Sequence, residues 1–157
     1  MIVGLGPVPP GNVYLFILYT STGKILLQNR SQDAARLPNH WAFFGGGIEQ
    51  GESPRRALER EILDELSYQV QTPYFLIAQT IREAEDENTK HVFVEKYQNQ
   101  PLQLGEGQTM GWFSPDETHG LKMIDHHRVV IEHIREYLNQ LSERSAIEGE
   151  SITDSCI

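Results

Sequence analysis

The chain has 157 residues, of which 39% are hydrophobic, enough for one ordinary core and too few for two typical domains. Its 22 acidic and 13 basic side chains give a formal net charge of −9, which disfavours binding of long DNA or RNA through the phosphate backbone. The single cysteine, Cys156, excludes an internal disulfide and a multi-cysteine metal site, so we expect a cytoplasmic protein.

A β-hairpin is predicted near the N-terminus. Asn12 to Tyr19 and Lys24 to Asn29 are rich in aliphatic and aromatic residues and flank the turn-forming sequence Ser21-Thr22-Gly23. The apolar run of the first strand is far shorter than the roughly 20 residues that cross a bilayer, so we expect no membrane partner. The polar stretch from Ser31 to His40 predicts a loop, which leads into the apolar segment 41–44 and three glycines.

A helix of three to four turns is predicted from Pro54. Ser53 is a favoured N-cap with Pro54 at the first helical position, and the following residues to Ser67 contain neither Gly nor Pro. At about 100° per residue, its acidic and apolar side chains fall on two neighbouring stripes, so one side can bind a cation while the other packs. The acidic stripe contains Glu61, Asp64 and Glu65, and the apolar stripe contains Leu58, Ile62 and Leu66.

The second half of the chain predicts a second hairpin and another helix. Gln69 to Arg82 and Thr89 to Tyr97 resemble strands around an acidic connection, and the short apolar segment 110–113 precedes a helix start at Ser114-Pro115-Asp116-Glu117. Apolar residues recur at helical spacing from about Asp125 to Leu141. We therefore expect one domain over residues 1–142 and an acidic, disordered tail over 143–157.

The acidic stripe of the first helix indicates a metal site. Acids at i, i+3 and i+4 cost a few tenths of a kcal/mol per like-charged pair unless a cation offsets the repulsion. Mg²⁺ prefers oxygen ligands, keeps several waters and is usually completed by substrate phosphate. A solvated helix face is the commoner explanation of such acids, but their fixed spacing from the glycines favours a site.

The residues before and within this helix suggest what the metal would act on. Gly45, Gly46 and Gly47 allow a ligand to approach the backbone closely, and the free amides at the helix start favour an anion such as phosphate. Glu52 is a candidate to orient a water or accept a proton. Arg60 is a candidate to hold a neighbouring carboxylate through a charge-assisted pair.

At these residues the sequence resembles the Nudix hydrolase superfamily, whose signature is Gx5Ex7REUxEExGU with U a bulky aliphatic residue. Positions Gly46, Glu52, Arg60, Glu61, Ile62 and Glu65 agree with it. Asp64 replaces Glu, which shortens the reach of the carboxylate, and Tyr68 replaces the aliphatic residue. Ser67 replaces Gly, so the helix must end by another geometry or Ser67 must adopt a left-handed conformation.

The resemblance implies an α/β/α sandwich with a mixed central sheet, in which the signature forms a loop, a helix and a loop. It implies Mg²⁺, with Mn²⁺ as a substitute, and a small nucleotide substrate. The implied metal ligands are Gly46, Glu61, Asp64 and Glu65, and the implied catalytic residues are Glu52, Glu61, Glu65 and Arg60, with Glu52 either supporting the ligands or acting as a base.

Two further sites are similar to the branch of the superfamily that removes damaged nucleoside triphosphates. Arg30, which closes the segment 26–30, would contact phosphate, and Glu106 would supply a distal metal ligand. A surface cation and a loop acid are the alternative explanations. Phe44 and Gly47 stand where that branch commonly has Pro and often has Lys, so substrate recognition is expected to differ.

The leading hypothesis is hydrolysis of a (deoxy)nucleoside triphosphate to a monophosphate and pyrophosphate. A nucleotide-sugar or dinucleotide polyphosphate hydrolase and a non-catalytic nucleotide-binding domain are the alternatives. Trp41, Phe43 and Phe44 are candidates to stack on a nucleobase, with core packing as the other explanation. His126 and His127 are weaker candidates to face substrate, and the sequence leaves open whether the chain forms a homo-oligomer.

Overall fold

The computed structural model describes residues 12–34, 38–83, 86–105 and 108–155. Within these ranges the chain forms strands, two α-helices and one short 3₁₀-helix. In chain order they are β1 (Val13–Tyr19), β2 (Ile25–Asn29), β3 (Trp41–Ala42), β4 (Phe44–Gly47), α1 (Pro54–Leu66), β5 (Tyr74–Glu83), β6 (Asp86–Lys96), β7 (Thr109–Phe113), a 3₁₀-helix (Asp116–Gly120) and α2 (Asp125–Ser155).

The strands form one mixed sheet in the order β3-β2-β1-β6-β5, with β4 paired to β1 and β7 paired to β2. Strands β1 and β6 run parallel, with Val13 opposite Lys90 and Tyr19 opposite Lys96, whereas the other pairings are antiparallel. The central strand β1 is buried along most of its length. Its unbroken apolar sequence is typical of a strand that is covered on both faces.

The two helices cover opposite faces of the sheet. Successive residues of β1 alternate between two cores, because side chains point to alternate faces along a strand. One core joins Tyr14, Phe16 and Leu18 of β1 to Leu58, Ile62 and Leu66 of α1. The other joins Leu15 and Ile17 to Val130, Ile131 and Ile134 of α2. The predicted α/β/α sandwich with a mixed sheet is confirmed.

Helix α1 begins and ends with specific caps. The Ser53 hydroxyl oxygen accepts a hydrogen bond from the Arg56 N–H at 3.2 Å, and Pro54 occupies the first turn as predicted. At the other end, Ser67 is left-handed, with φ 55° and ψ 27°, and its N–H donates to the Leu63 carbonyl. Of the two outcomes expected where glycine is replaced, Ser67 therefore adopts the left-handed one.

A buried carboxylate accepts hydrogen bonds from the residues that follow α1. Glu95 of β6 is only 2% exposed, and the hydroxyl of the fully buried Tyr68 donates to it at 2.6 Å. The N–H groups of Gln71 and Thr72 donate to its other oxygen at 2.9 and 2.6 Å. A buried carboxylate requires such donors, which explains why a tyrosine occupies the position where the resemblance implies an aliphatic residue.

Two of the sequence predictions differ from the structure in the sheet. The three glycines lie in strand β4 rather than in a loop, with Gly45, Gly46 and Gly47 opposite Leu15, Tyr14 and Val13 of β1. The second hairpin extends further towards its turn than predicted, because Glu83 still pairs with Asp86, whereas its first strand begins at Tyr74 and not at Gln69. Local sequence did not indicate either extension, since glycine and acidic residues are uncommon in strands and are held there by pairing partners.

Helix α2 continues to Ser155, past the end at Leu141 that the sequence predicted, and so runs through most of the segment 143–157 that was expected to be an acidic, disordered tail. Among the α2 side chains that the structure describes, Tyr137 and Leu138 are the last that pack against the core, and residues 142–147 are exposed. The helical conformation of residues 142–147 is therefore stabilised mainly by backbone hydrogen bonds and by helix-favouring residues. The described part of the chain has no helix whose length and hydrophobicity together suit a membrane crossing.

Candidate active site

Strand β4 passes directly beneath the acidic stripe of α1. A methyl group placed on Gly46 would lie 1.8 Å from Oε2 of Glu61, so the carboxylate rests against the glycine backbone. A methyl group on Gly45 would lie 2.5 Å from the Tyr14 carbonyl oxygen, whereas one on Gly47 would meet nothing within 4 Å. Close packing therefore requires glycine at positions 45 and 46 but not at 47.

Arg60 joins two of the acidic residues of the signature. Its Nε and Nη2 atoms donate to the two oxygens of Glu52 at 2.8 and 2.9 Å, which is a bidentate pair. Its Nη2 also lies 3.5 Å from Oε1 of Glu61. The hydrogen bonds from Arg60 lower the pKa of Glu52, so this carboxylate is a weak proton acceptor.

Glu61 receives a second hydrogen bond from the centre of the sheet. The Tyr14 hydroxyl donates to Oε2 of Glu61 at 3.0 Å, and the Tyr14 side chain is fully buried. Burial, followed by the negative charge of Glu61, raises the pKa of the Tyr14 hydroxyl. The phenol therefore remains protonated and can donate a hydrogen bond. Each oxygen of Glu61 thus has a donor beside it, Tyr14 at Oε2 and Arg60 at Oε1.

Asp64 and Glu65 line a cleft of about 290 Å³ beside strand β4. The other lining residues are Gln28, Arg30, Ser31, Ala34, Gly45, Gly105 and Gln108. The Glu65 side chain is open to this cleft, yet the protein around its carboxylate, together with the charges of Glu61 and Asp64, raises its pKa to about 7. The three acids of the stripe are thus close enough to interact electrostatically.

The donor set suits a hard divalent cation completed by other ligands. Among the described residues, no three Glu, Asp, His or Cys side chains stand close enough together to hold a metal ion by themselves. Mg²⁺ does not need such a cage, since one or two carboxylates, waters and substrate phosphates commonly complete its shell. Glu106 lies outside the described residues, although Gly105 and Gln108 on either side of it line the cleft.

Arg30 lies in the same cleft as Asp64 and Glu65, where a cation can meet a phosphate. Its backbone is held by the loop, because its N–H donates to the His40 carbonyl at 2.8 Å and its carbonyl accepts from the Asn39 N–H at 3.0 Å. The structure therefore brings Arg30 to the acidic stripe, although 34 positions separate it from Asp64 in the chain.

The predicted contact of Phe43 with substrate is corrected by the structure. Phe43 and Phe44 are 2% and 1% exposed, so their rings belong to the two cores and offer no face to a nucleobase. Trp41 is half-buried and packs edge-on against Phe113, with ring centroids 4.9 Å apart. Alternation along the strand turns each of the two phenylalanines towards a different helix, and both faces of the sheet are covered.

His127 is also buried and serves the structure around β4. It is 5% exposed, its ring stacks on Phe43, and its Nδ1 accepts a hydrogen bond from the Phe43 N–H at 3.1 Å. Burial, followed by the positive charges of Lys90, His126 and Arg30, lowers its pKa to about 3. His127 is therefore neutral at ordinary pH and holds the chain just before the glycines.

Tyr14 and His127 lie near the site, and the sequence did not indicate their contacts. Tyr14 resembles any aromatic residue of a buried strand, and His127 resembles a surface residue at a helix start. Each contact joins residues far apart in the chain, by 47 and 84 positions respectively.

Comparison with known proteins finds one domain family that matches most of the chain and curated relatives that match part of it. The family model described as the NUDIX domain matches residues 9–134. The curated nucleoside triphosphatase NudI of Escherichia coli O139:H28 is 42% identical over 53 residues, which is 34% of this chain and 38% of that protein. The match thus spans well under half the length of this relative.

Two solved structures share the fold over most of the chain. The MutT protein from Methanosarcina mazei Go1 has a TM-score of 0.70 at 17% identity and covers 83% of this chain and 97% of its own. The NUDIX domain of Shewanella oneidensis NrtR, solved with ADP ribose, has a TM-score of 0.68 at 18% identity and covers 82% and 88%. At these identities the likeness concerns the fold alone.

Proposed function

Because the chain belongs to the Nudix family, we propose that it is a Mg²⁺-dependent hydrolase of compounds in which a nucleoside diphosphate is linked to another moiety. The observation that carries this proposal is the arrangement of the acidic stripe. Asp64 and Glu65 line one cleft together with Arg30 and Gly45, and Glu61 interacts electrostatically with Glu65 from beside the glycine strand. Carboxylates and a cation in one cleft suit a metal-bound polyphosphate.

We assign the metal to Glu61, Glu65 and the Gly46 carbonyl, with Asp64 as an additional or water-mediated ligand and Glu106 as a proposed distal one. When bound, the cation activates a water and offsets negative charge on the phosphate oxygens. Glu61 is prepared for this role because its carboxylate is held against the β4 backbone.

The remaining residues are assigned to orienting the metal ligands or to binding the phosphate of the substrate. Arg60 donates hydrogen bonds to both oxygens of Glu52 and lies beside Glu61. The Arg60–Glu52 pair therefore helps to orient Glu61, the proposed metal ligand. We therefore assign Glu52 to orientation and not to proton transfer. Arg30 is the proposed phosphate contact in the cleft, and the backbone of Gly45 lines the cleft beside it.

The proposed substrate is a (deoxy)nucleoside triphosphate, which would be cut to a monophosphate and pyrophosphate. The partial likeness to NudI, a named nucleoside triphosphatase, supports this choice. A nucleotide sugar or a dinucleotide polyphosphate is the second candidate, since the fold is shared with a NUDIX domain that was solved with ADP ribose. The cytoplasmic location stays a prediction, and homo-oligomer formation stays open.

The test is a substrate panel with the purified full-length chain and Mg²⁺. Nucleoside triphosphates, oxidised triphosphates, nucleotide sugars and dinucleotide polyphosphates are incubated separately, and released phosphate, pyrophosphate and nucleoside monophosphate are measured. We expect pyrophosphate from triphosphates. Nucleoside monophosphate released only from the sugars or dinucleotides would favour the second candidate, and turnover of none would favour a nucleotide-binding domain without activity.

A further inference from the structure

The environment of Glu61 is more constrained than that of a simple surface acid. Its Oε2 accepts from the Tyr14 hydroxyl at 3.0 Å, and its Oε1 lies 3.5 Å from Nη2 of Arg60. On the side of β4, the carboxylate occupies the space that a side chain at Gly46 would take. Glutamate has three rotatable side-chain bonds, so these contacts select one orientation of the carboxylate.

Tyr14 contacts Glu61 but lies outside the Nudix signature, which covers Gly46 to Tyr68. It lies on β1, where it pairs with Gly46 on one side and with His91 on the other, so its backbone is held from both edges. Its ring is fully buried in the core beneath α1. A phenylalanine would fill the same space, whereas a buried hydroxyl has a cost unless it finds a partner, and that partner is Glu61.

Resting on the proposed function, we propose that Tyr14 is a positioning residue whose hydroxyl fixes the Glu61 carboxylate in the orientation that binds the divalent cation. A hydrogen bond to one lone pair leaves further lone pairs on both oxygens for a cation. The bond also links the proposed ligand to a fully buried residue of the central strand, which is paired with a neighbouring strand on each side. Partners of this kind typically change metal affinity by about 10-fold to 100-fold when they are removed.

The chain supplies a matched control for this inference. Tyr68 is also fully buried, belongs to the same core, and donates its hydroxyl to a carboxylate, that of Glu95 at 2.6 Å. Glu95 does not line the cleft, and its other contacts are the backbone N–H groups that follow α1. Removing the two hydroxyls is therefore the same chemical change in the same core, and only one of the changes touches a proposed metal ligand.

The experiment measures Mn²⁺ binding to the full-length chain without substrate, by electron paramagnetic resonance, for the unsubstituted protein and for Tyr14→Phe, Tyr68→Phe and Glu61→Gln. Urea unfolding is measured for each. Both phenylalanine variants keep the ring contacts, so we expect them to fold and to lose some stability. Tyr14→Phe should weaken Mn²⁺ binding by about 10-fold or more, whereas Tyr68→Phe should stay within about twofold of the unsubstituted protein.

The outcomes separate this inference from the proposed function. If Tyr14→Phe binds Mn²⁺ as tightly as the unsubstituted protein while Glu61→Gln binds weakly, the role of Tyr14 is refuted and the metal assignment stands. If Tyr68→Phe weakens binding as much as Tyr14→Phe, the effect is a general one of the core and the inference also fails. Absence of Mn²⁺ binding by the unsubstituted protein would overturn the role of Tyr14, while the proposed function is decided separately by the substrate panel with Mg²⁺.

Discussion

Replacement of Gly46 by alanine is the most direct test of how β4 and α1 form the site. The added methyl carbon would lie 1.8 Å from Oε2, 2.8 Å from Cδ and 3.1 Å from Oε1 of Glu61. Close contacts between carbon and oxygen are about 3.3–3.6 Å, so the carboxylate must move by more than about 1 Å. The atom that must move furthest, Oε2, is also the acceptor of the hydrogen bond from Tyr14, so the substitution disturbs that bond.

The size of the effect follows from that displacement. A misplacement of about 1 Å in an active site can cost on the order of 100-fold in rate, or about 3 kcal/mol. We therefore expect Gly46→Ala to lose at least about 100-fold in kcat/KM and to weaken Mn²⁺ binding by about 10-fold or more. Urea unfolding should show a folded protein, because the side chain that must move is the end of a flexible glutamate.

Gly47→Ala is the matched control for metal binding. The two glycines are neighbours in the same strand, and neither has a positive φ. A methyl group at position 47 meets nothing within 4 Å. Mn²⁺ affinity should therefore be unchanged in Gly47→Ala. Equal affinities for Gly46→Ala, Gly47→Ala and the unsubstituted protein would refute the claim that the glycine backbone shapes the site of Glu61.

Three further predictions follow from single residues. Glu65→Gln should remain folded and lose on the order of 100-fold or more in hydrolysis, whereas Glu59→Gln, which removes only an exposed ion pair on the same helix, should stay within about twofold; near-normal turnover by Glu65→Gln would contradict the metal assignment. Native His127, with its pKa lowered to about 3, stays neutral while the unfolded chain gains a proton below about 6.5. Lowering the pH from 6 to 4 should therefore reduce the free energy of unfolding by about 1.4 kcal/mol per pH unit through this group, and His127→Asn, which keeps an acceptor for the Phe43 N–H, should lose that part of the slope in urea titrations. Ser67→Gly should raise the free energy of unfolding by about 0.5 kcal/mol, because it relieves the left-handed conformation, while Ser67→Ala should give no such gain.

The features that sequence predicted well are those set by neighbours in the chain. The caps of α1, its acidic and apolar stripes and the first hairpin each depend on residues within a few positions of one another. A charge-assisted pair of Arg60 with a neighbouring carboxylate was also expected, and the structure shows that its partner is Glu52, eight positions earlier. Such local rules do not depend on tertiary contacts, so the amino-acid sequence alone is enough to predict these features.

The partners of those features were decided only by the tertiary structure. Tyr14 reaches Glu61, and His127 reaches the backbone of Phe43, because the sheet brings β1, β4 and the start of α2 together across 47 and 84 positions of sequence. The same packing buries the ring of Phe43 and gives three glycines a place in a strand. Sequence by itself thus determined that three acids share one stripe of α1, since helical periodicity is local. The support behind Glu61 depended on which strand pairs beneath the helix, and no local signal encodes that choice.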